Sequence, residues 1–547
     1  MIELYLTQKC VRYFFVQLLI AMDRGGMSVA YRTSIAKSAV LLTLANLIIR
    51  SVSMLFQVYL TGQIGAVGIG LMQLIMTVYG FSLTVGTSGL RVAAMYLSAE
   101  EYGLRRSEGI RQAMIWCLGA GTVLGAAVGT AMVLGAEDLA LYWVKDLRAA
   151  ASLRLLGLSL PLSCISAILT GYFTAIGQVG RLVVVEIADR IVTVAATVWL
   201  LRLGVSSDLS HACLSVVGGG ALASVGSVAV LVAMLLQNFR GSQKEKKPLS
   251  MGRRLWKLCV PVALNDYLRS GLGTMEQFLI PYGLTRFGGS RAGALGSYGT
   301  IQGMVFPVMM FPTVVLFAVA DLLIPELARC KAEKNQTRIR HMTEVCLQKG
   351  MVFSCVIAGL LLVLADPLGL LLYQSAEAGL YLRLFAPLVP VLYLDCIVDG
   401  MHKGLGQQVY CVRVNTATNL LDVIGLFLLL PRWGIGGYLF TYAVTHCVNF
   451  YLSLRRLLRI SGAEPGLCTL AKVLFGTLAA VVFCRRVLPM SSTWFHVILG
   501  GGIYLALCAF LLSKVLAVSG ISRYNQKKTS GGSHDTTTAA ASHSASV

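Results

Sequence analysis

LRLLGLSLPLSCISAILTGYFTAIGQ (residues 153–178) meets LRLFAPLVPVLYLDCIVDGMHKGLGQ (residues 382–407) when the chain is shifted by 229 positions. Leu153, Arg154, Leu155, Pro161, Ile168, Gly171, Gly177 and Gln178 are matched by Leu382, Arg383, Leu384, Pro390, Ile397, Gly400, Gly406 and Gln407. Composition alone would give about two identities in such a window, so the chain carries an internal duplication. Each copy is long and apolar enough for a bilayer-crossing helix, which takes about 20 residues. Outward from these copies, fourteen such stretches can be marked between residues 35 and 517, with 149–176 fourth and 378–404 tenth. The copies are therefore six spans apart and run in the same direction. The expected fold is an all-α polytopic membrane protein of two six-helix bundles in parallel repeat, 27–240 and 253–460. A basic linker at 241–252 joins them, and two extra helices within 467–517 follow. Residues 1–26 read as an N-terminal extension, a surface helix or a start-site artefact, and 518–547 as a polar, disordered cytoplasmic tail.

Composition agrees with that class. Hydrophobic residues make up 56% of the 547 residues and charged residues only 13%, half the level of an ordinary soluble protein. The net charge is nevertheless +21, from 46 Lys+Arg against 25 Asp+Glu. Sorting these by loop puts thirty-two basic residues on one side, termini included, and eight on the other. The split places both termini in the cytoplasm of a cell-membrane protein. A nucleic-acid reader would need a basic stripe on a folded surface, and no such stripe exists, so nucleic acid is excluded as a partner. The fourteen cysteines form no CxxC pair and mostly lie within apolar runs, so they read as small reduced hydrophobes.

Six arginines fall inside the spans: Arg50, Arg91, Arg154, Arg190, Arg269 and Arg383. A charge at a helix centre costs at least about 2.5–3.5 kcal/mol, so it must pair or face a polar cavity. Arg50 has no acid three or four residues away on its helix, which marks it as functional. Asp266, Arg269 and Glu276 fall on one face of the seventh span, within about 80° of arc. They read as a local ion-pair group or as a cation-sensitive patch. Asp321 is a further candidate for the cavity or for coupling to a cation, Na+ or H+. Asp395, Asp399 and Lys403 are spaced at successive turns, a ladder in which one Asp pairs with Lys403. Arg154 and Arg383 sit near outer span ends, as headgroup-seeking residues or ion-pair partners, and Arg91 near a cytoplasmic end, in a gating or structural role.

No Walker A loop, HExxH or GxSxG occurs, and no loop exceeds about 20 residues, too little for a catalytic domain. The chain reads as a non-enzyme with no cofactor beyond a coupling ion. Three stretches carry a resemblance: SIAKSAVLLTLANLIIRSVSMLFQVYLTGQIGAVGIGLMQLIMTVYGF (34–81), YGTIQGMVFPVMMFPTVVLFAVADLLIPELAR (298–329) and APLVPVLYLDCIVDGMHKGLGQQ (386–408). Together they resemble the stage V sporulation protein B group of polysaccharide transporters, in the superfamily of multidrug extruders, O-antigen flippases and lipid II flippases.

That resemblance implies a flippase of an undecaprenyl-diphosphate-linked cell-wall precursor, working by alternating access, with sporulation as one setting. Its partners would be the polyprenyl-diphosphate-linked saccharide, membrane lipids and cell-wall synthases. In the lipid II flippases, arginines of the first two helices line a cationic cavity, and Arg50 matches the first of these. Phe56 and Gln57 stand where a second would be, so the expected diphosphate site is Arg50 and Gln57 with Arg269 from the facing half. The extra helices would form a lipid-tail groove. A multidrug exporter on the same fold, a scaffold of a cell-wall synthesis complex and an embedded glycosyltransferase are the competing readings.

Overall fold

The computed structural model describes residues 29–104, 106–203, 208–239, 251–464, 467–487 and 493–530, so the extension at 1–26 and most of the expected linker lie outside the described residues. The first half holds α1 (Val29–Thr87), α2 (Leu90–Gly103), α3 (Ser107–Leu134), α4 (Ala150–Ala175), α5 (Val179–Leu203) and α6 (Leu209–Phe239). The second begins with α7 (Met251–Arg286), then α8 (Arg291–Met310), α9 (Thr313–Ala332), α10 (Gln336–Tyr373), α11 (Ala376–Gly404) and α12 (Gln408–Ser461). Helices α13 (Leu467–Val487) and α14 (Trp494–Ser530) close the chain. Residues 518–530, expected in a disordered tail, continue α14 instead.

Among the described residues, eight helices are long and apolar enough to cross a membrane, or nine when the bent pair α8–α9 is one span. That measure does not reach the expected fourteen, for two physical reasons. First, α1 and α12 are each bent, at Gly65 (φ 68°) and Gly434 (φ 56°). A straight 59-residue α1 would run about 88 Å, far beyond a hydrocarbon core of about 30 Å. A side chain at either glycine would be strained, because positive φ is open mainly to glycine. Second, α5, α7 and α13 carry charges that count against them on that measure: Glu186, Asp189 and Arg190 on the first, Asp266, Arg269 and Glu276 on the second, Lys472, Arg485 and Arg486 on the third.

The duplication is built into the contacts. Lys145 and Gln374, 229 residues apart, both take left-handed backbone (φ 56° and 51°). The next amide in each copy reaches back six residues, Asp146 N to Ala140 O at 2.8 Å and Ser375 N to Gly369 O at 3.1 Å. Arg154 pairs with Glu137 as Arg383 pairs with Asp366, the same spacing in both copies. Gly177 and Gly406 end the duplicated helices at φ 76° and 69°. The amides of Gln178 and Gln407 then bond the carbonyls of Phe173 and His402.

Close helix approach recurs as well. Gly121 and Gly350 receive the side chains of Ile168 and Ile397, while Gly171 and Gly400 abut the backbones of Arg91 and Ala320. Gly125 and Gly129, in the same stripe as Gly121, admit Pro161, Cys164 and Gly157 of α4. Such small-residue seams are how helices pack where lipid removes the hydrophobic drive. Gly400→Leu should therefore cost at least about 1–3 kcal/mol by overpacking, read as a lower melting temperature in detergent. Gly436→Leu, at an exposed position where an added Cβ meets nothing within 4 Å, is the control.

Apolar side chains also face outward, as lipid-facing surfaces require: Leu55, Leu134 and Phe475 are at least 70% exposed. Helices α13 and α14 pack on α10, where the Tyr504 hydroxyl donates to Val356 O at 3.1 Å beside Gly359. The chain is a multi-pass membrane protein. Its two ends differ: a basic end, where α2 stops and α7 starts, and a far end bearing Lys145, Arg286 and Arg291.

Candidate functional site

The sequence bends the second half where α8 meets α9. FPVMMFP (306–312) holds Pro307 and Pro312, and a π turn over Ile301–Val305 precedes it. Pro307 cannot donate to Gly303 O one turn earlier, and beside Pro312 the amide of Val314 bonds Phe311 O and not Met310 O, so the Gly303 and Met310 carbonyls lose their helical partners. Helices α8 and α9 accordingly meet at 58°. The freed acceptors meet the first half. Arg50 Nη1 donates to Met310 O at 3.3 Å and to Thr313 Oγ1 at 3.4 Å. Its guanidinium also lies 5.5 Å from the centre of the Phe317 ring. Two turns further along α1, Gln57 Nε2 donates to Gly303 O in the π turn at 3.1 Å.

Arg50 and Gln57 thus share one face of α1 and both engage the α8–α9 break. Arg50 forms no ion pair among the described residues and stays solvent-exposed. A guanidinium held only by a carbonyl and a hydroxyl keeps donors free for an anion. Between the break and the far end, the second limb of α1 closes on α8. A Cβ at Gly299 would strike Ala66 O and the Gly70 backbone, and one at Gly70 would strike Leu295 O.

Arg269, expected beside Arg50, makes no contact with it among the described residues; it is exposed on α7, with Asp266 half-buried nearby. The ion-pair group expected for Asp266, Arg269 and Glu276 is absent among the described residues. Glu276 turns instead to α12, where its carboxyl faces that of Asp422. Thr445 Oγ1 donates to Asp422 Oδ1 at 2.9 Å, and Tyr298, Tyr438 and Tyr442 surround the pair. Two carboxylates this close repel unless a proton or cation sits between them. Sequence spacing could not find this pair, because the partners are 146 residues apart.

The remaining candidates have separate places. Asp321 and Arg91 are exposed and enter no ion pair among the described residues. Lys403 Nζ lies 2.7 Å from Asp399. Asp395 accepts instead from Asn449 Nδ2 at 3.1 Å, and Thr418 supports that amide. Arg154 and Arg383 are committed to Glu137 and Asp366 at the far end, which answers their charge without reaching for headgroups.

At the basic end, Arg254 of α7 binds Glu100 at 2.7 Å and Glu101 at 3.2 Å, both on α2. A cavity of about 780 Å³ lies at the far end, lined by α7, α12, the start of α8 and residues 142–145. Beside it, burial alone would push the Asp146 carboxyl up, but four hydrogen bonds from Arg148 hold it below the usual carboxylate range.

Comparison with known proteins fits this geometry. The profile of a family described as polysaccharide biosynthesis protein matches residues 35–331, more than half of the chain. Stage V sporulation protein B of Bacillus subtilis (strain 168) is 21% identical over 413 residues, 73% of this chain and 79% of that protein. The solved structure of the lipid II flippase MurJ in an inward closed conformation superposes with TM-score 0.67 at 12% identity. It covers 87% of this chain and all of that one. An inward-facing multidrug resistance MATE family transporter of the MOP superfamily gives 0.61 at 14% identity, covering 82% and 99%. At these identities the structural likeness establishes the fold.

Proposed function

Because the chain belongs to the polysaccharide biosynthesis protein family, we propose that it is a flippase that carries a polyprenyl-diphosphate-linked saccharide of the cell wall from the cytoplasmic to the outer leaflet. The observation that carries this reading is Arg50. It is a permanently charged fork within a span, without a carboxylate partner among the described residues, lying between the two halves at a helix break. A guanidinium takes two oxygens of a diphosphate at once and does not deprotonate, so it grips the headgroup while the apolar tail stays in lipid. Gln57 holds the π turn beside it, and the exposed Arg269 of α7 is the second cation in this reading. The protein acts as a transporter and performs no bond chemistry.

Alternation follows from the two contacts that join the halves at opposite ends. Arg254 with Glu100 and Glu101 closes the basic end, and the glycine seam between α1 and α8 closes the far end. Rocking the halves opens one as the other shuts. The Glu276–Asp422–Thr445 group offers oxygen ligands for the coupling cation, Na+ or H+, between α7 and α12. The cytoplasmic placement of the basic end and of both termini rests on the charge split.

The test is a leaflet-accessibility assay in liposomes with a defined polyprenyl-diphosphate saccharide. Transfer that follows an imposed ion gradient supports the reading. Movement of cationic drugs alone would favour the multidrug alternative, and no movement at all the scaffold. Glu276→Gln should retain lipid binding but lose at least about tenfold in gradient-driven rate, since an amide neither releases a proton nor carries a ligating charge. Unchanged gradient dependence in that variant would remove Glu276 from the coupling step.

A further inference from the structure

The far-end cavity is not where the sequence placed a site, and its chemistry is specific. Its walls are mostly apolar: Phe278 and Leu279 from α7 oppose Ile424, Phe427 and Leu428 from α12. Ile424, Phe427 and Leu428 are exposed side chains, so the trough opens toward the surroundings of the protein, which for these residues is hydrocarbon. At the rim the lining changes to Lys145, Arg286 and Arg291. The cavity lining contains no carboxylate. Lys145 Nζ and the Arg286 guanidinium carbon lie 4.7 Å and 5.1 Å from the centre of one ring, Tyr282.

Neither Lys145 nor Arg286 forms an ion pair among the described residues. The nearest carboxylate on that loop, Asp146, is taken by Arg148 at 2.7 Å. Arg291 spends Nη2 on Val144 O at 2.7 Å, and that bond, with the edge-on packing of Trp143 against Phe278, fixes the loop of the first half over the second. Cations gathered on one ring repel one another, and the ring's π face offsets only part of that, about 0.5–2 kcal/mol. An anion between them would relieve that repulsion. A volume of 780 Å³ lies within the range of sites that enclose a sizeable ligand, about 300–1,000 Å³.

We propose that this trough is a second lipid seat, which holds the diphosphate of a polyprenyl lipid at the far end with its isoprenoid tail between α7 and α12. Three cations with no carboxylate in the lining match the multiple charge of a diphosphate better than the single charge of a phosphatidylglycerol. The seat lies beyond the α1–α8 seam from Arg50, so it would hold the lipid after transit, and in that sense it rests on the flippase reading above. Because Arg291 ties residues 142–145 to α8, occupancy would also bridge the two halves at this end.

Equilibrium binding tests this without requiring transport. Full-length protein carrying Arg50→Ala, which removes the central guanidinium, is placed in phosphatidylcholine nanodiscs and titrated with geranylgeranyl diphosphate. Trp143 fluorescence at the trough is one readout and retained radiolabelled lipid the other. Saturable binding is expected, weakened at least about tenfold by Lys145→Gln with Arg286→Gln. Both side chains are exposed, so the protein should keep its melting temperature.

Geranylgeraniol and inorganic pyrophosphate should each compete at least about tenfold less well, because each supplies only half of the match. Equal competition by phosphatidylglycerol would overturn the proposal in favour of a general anionic-lipid seat. Unchanged affinity in the double variant would overturn it outright. Cation-dependent binding together with failed leaflet transfer would leave the seat standing and sink the flippase reading instead.

Discussion

Arg50→Ala should reduce leaflet transfer of a polyprenyl-diphosphate saccharide at least about a hundredfold at subsaturating lipid. A hydrogen bond to a charged group contributes about 1.5–3 kcal/mol, and a guanidinium fork supplies two to a diphosphate. Each 1.4 kcal/mol is a factor of ten in affinity. Arg50→Lys keeps the charge but loses the planar fork, so it should fall between wild type and alanine.

A control separates anion binding from the helix-break contact. Thr313→Val removes one acceptor of the Arg50 guanidinium, at 3.4 Å, and leaves the charge in place. It should change transfer less than about threefold, since a hydrogen bond this long contributes little. If Thr313→Val were as damaging as Arg50→Ala, the arginine would be a strut between the halves and not a ligand. Transfer above half the wild-type rate in Arg50→Ala would remove it from the lipid site.

Much of this was legible before any coordinates, because membranes force a few strong choices. A charge in an apolar run is expensive wherever it lies, so Arg50 and Glu276 could be singled out from one dimension. What they touch could not. Met310 and Thr313 lie more than 250 residues from Arg50, and the Met310 carbonyl is available because the helix is broken where α8 meets α9. The duplicated stretch was found from eight identities, yet contacts reproduce it at positions where the residues differ. Lys145 and Gln374 share a left-handed backbone, and Glu137 and Asp366 share an ion pair. Backbone shape and charge sign were retained where side-chain identity was not.

The span count was harder for a related reason. Non-helical backbone at Gly65 and Gly434 divides α1 and α12 into two limbs each, so runs that read as separate spans are limbs of one long element and a count by element merges them. The far-end seat was invisible for a different one. Lys145, Arg286 and Arg291 belong to two loops, and taken singly each reads as an ordinary outer-loop charge. Only the fold brings Lys145 and Arg286 to one tyrosine ring.

Arg254→Ala is expected to give the largest change in conformation. Glu101, one of its two partners, has a side chain only 1% exposed, and its second carboxylate oxygen has no hydrogen-bond partner. Gly109 leaves just enough room, for a Cβ there would collide with the Glu101 carboxylate. Removing one partner of a buried pair costs about 3–5 kcal/mol, against about 0–1 for an exposed one. Arg254→Ala should therefore lower the melting temperature in detergent and speed amide exchange at the end of α2 and the start of α7. Adding Glu101→Gln removes the stranded charge, so melting should recover. Exchange at those two helix ends should stay fast, because among the described residues no ion pair then ties α2 to the start of α7. If exchange recovers along with melting, the pair is a structural support within a fixed interface. If melting recovers alone, the pair is a latch whose opening exposes Arg50 to the basic side.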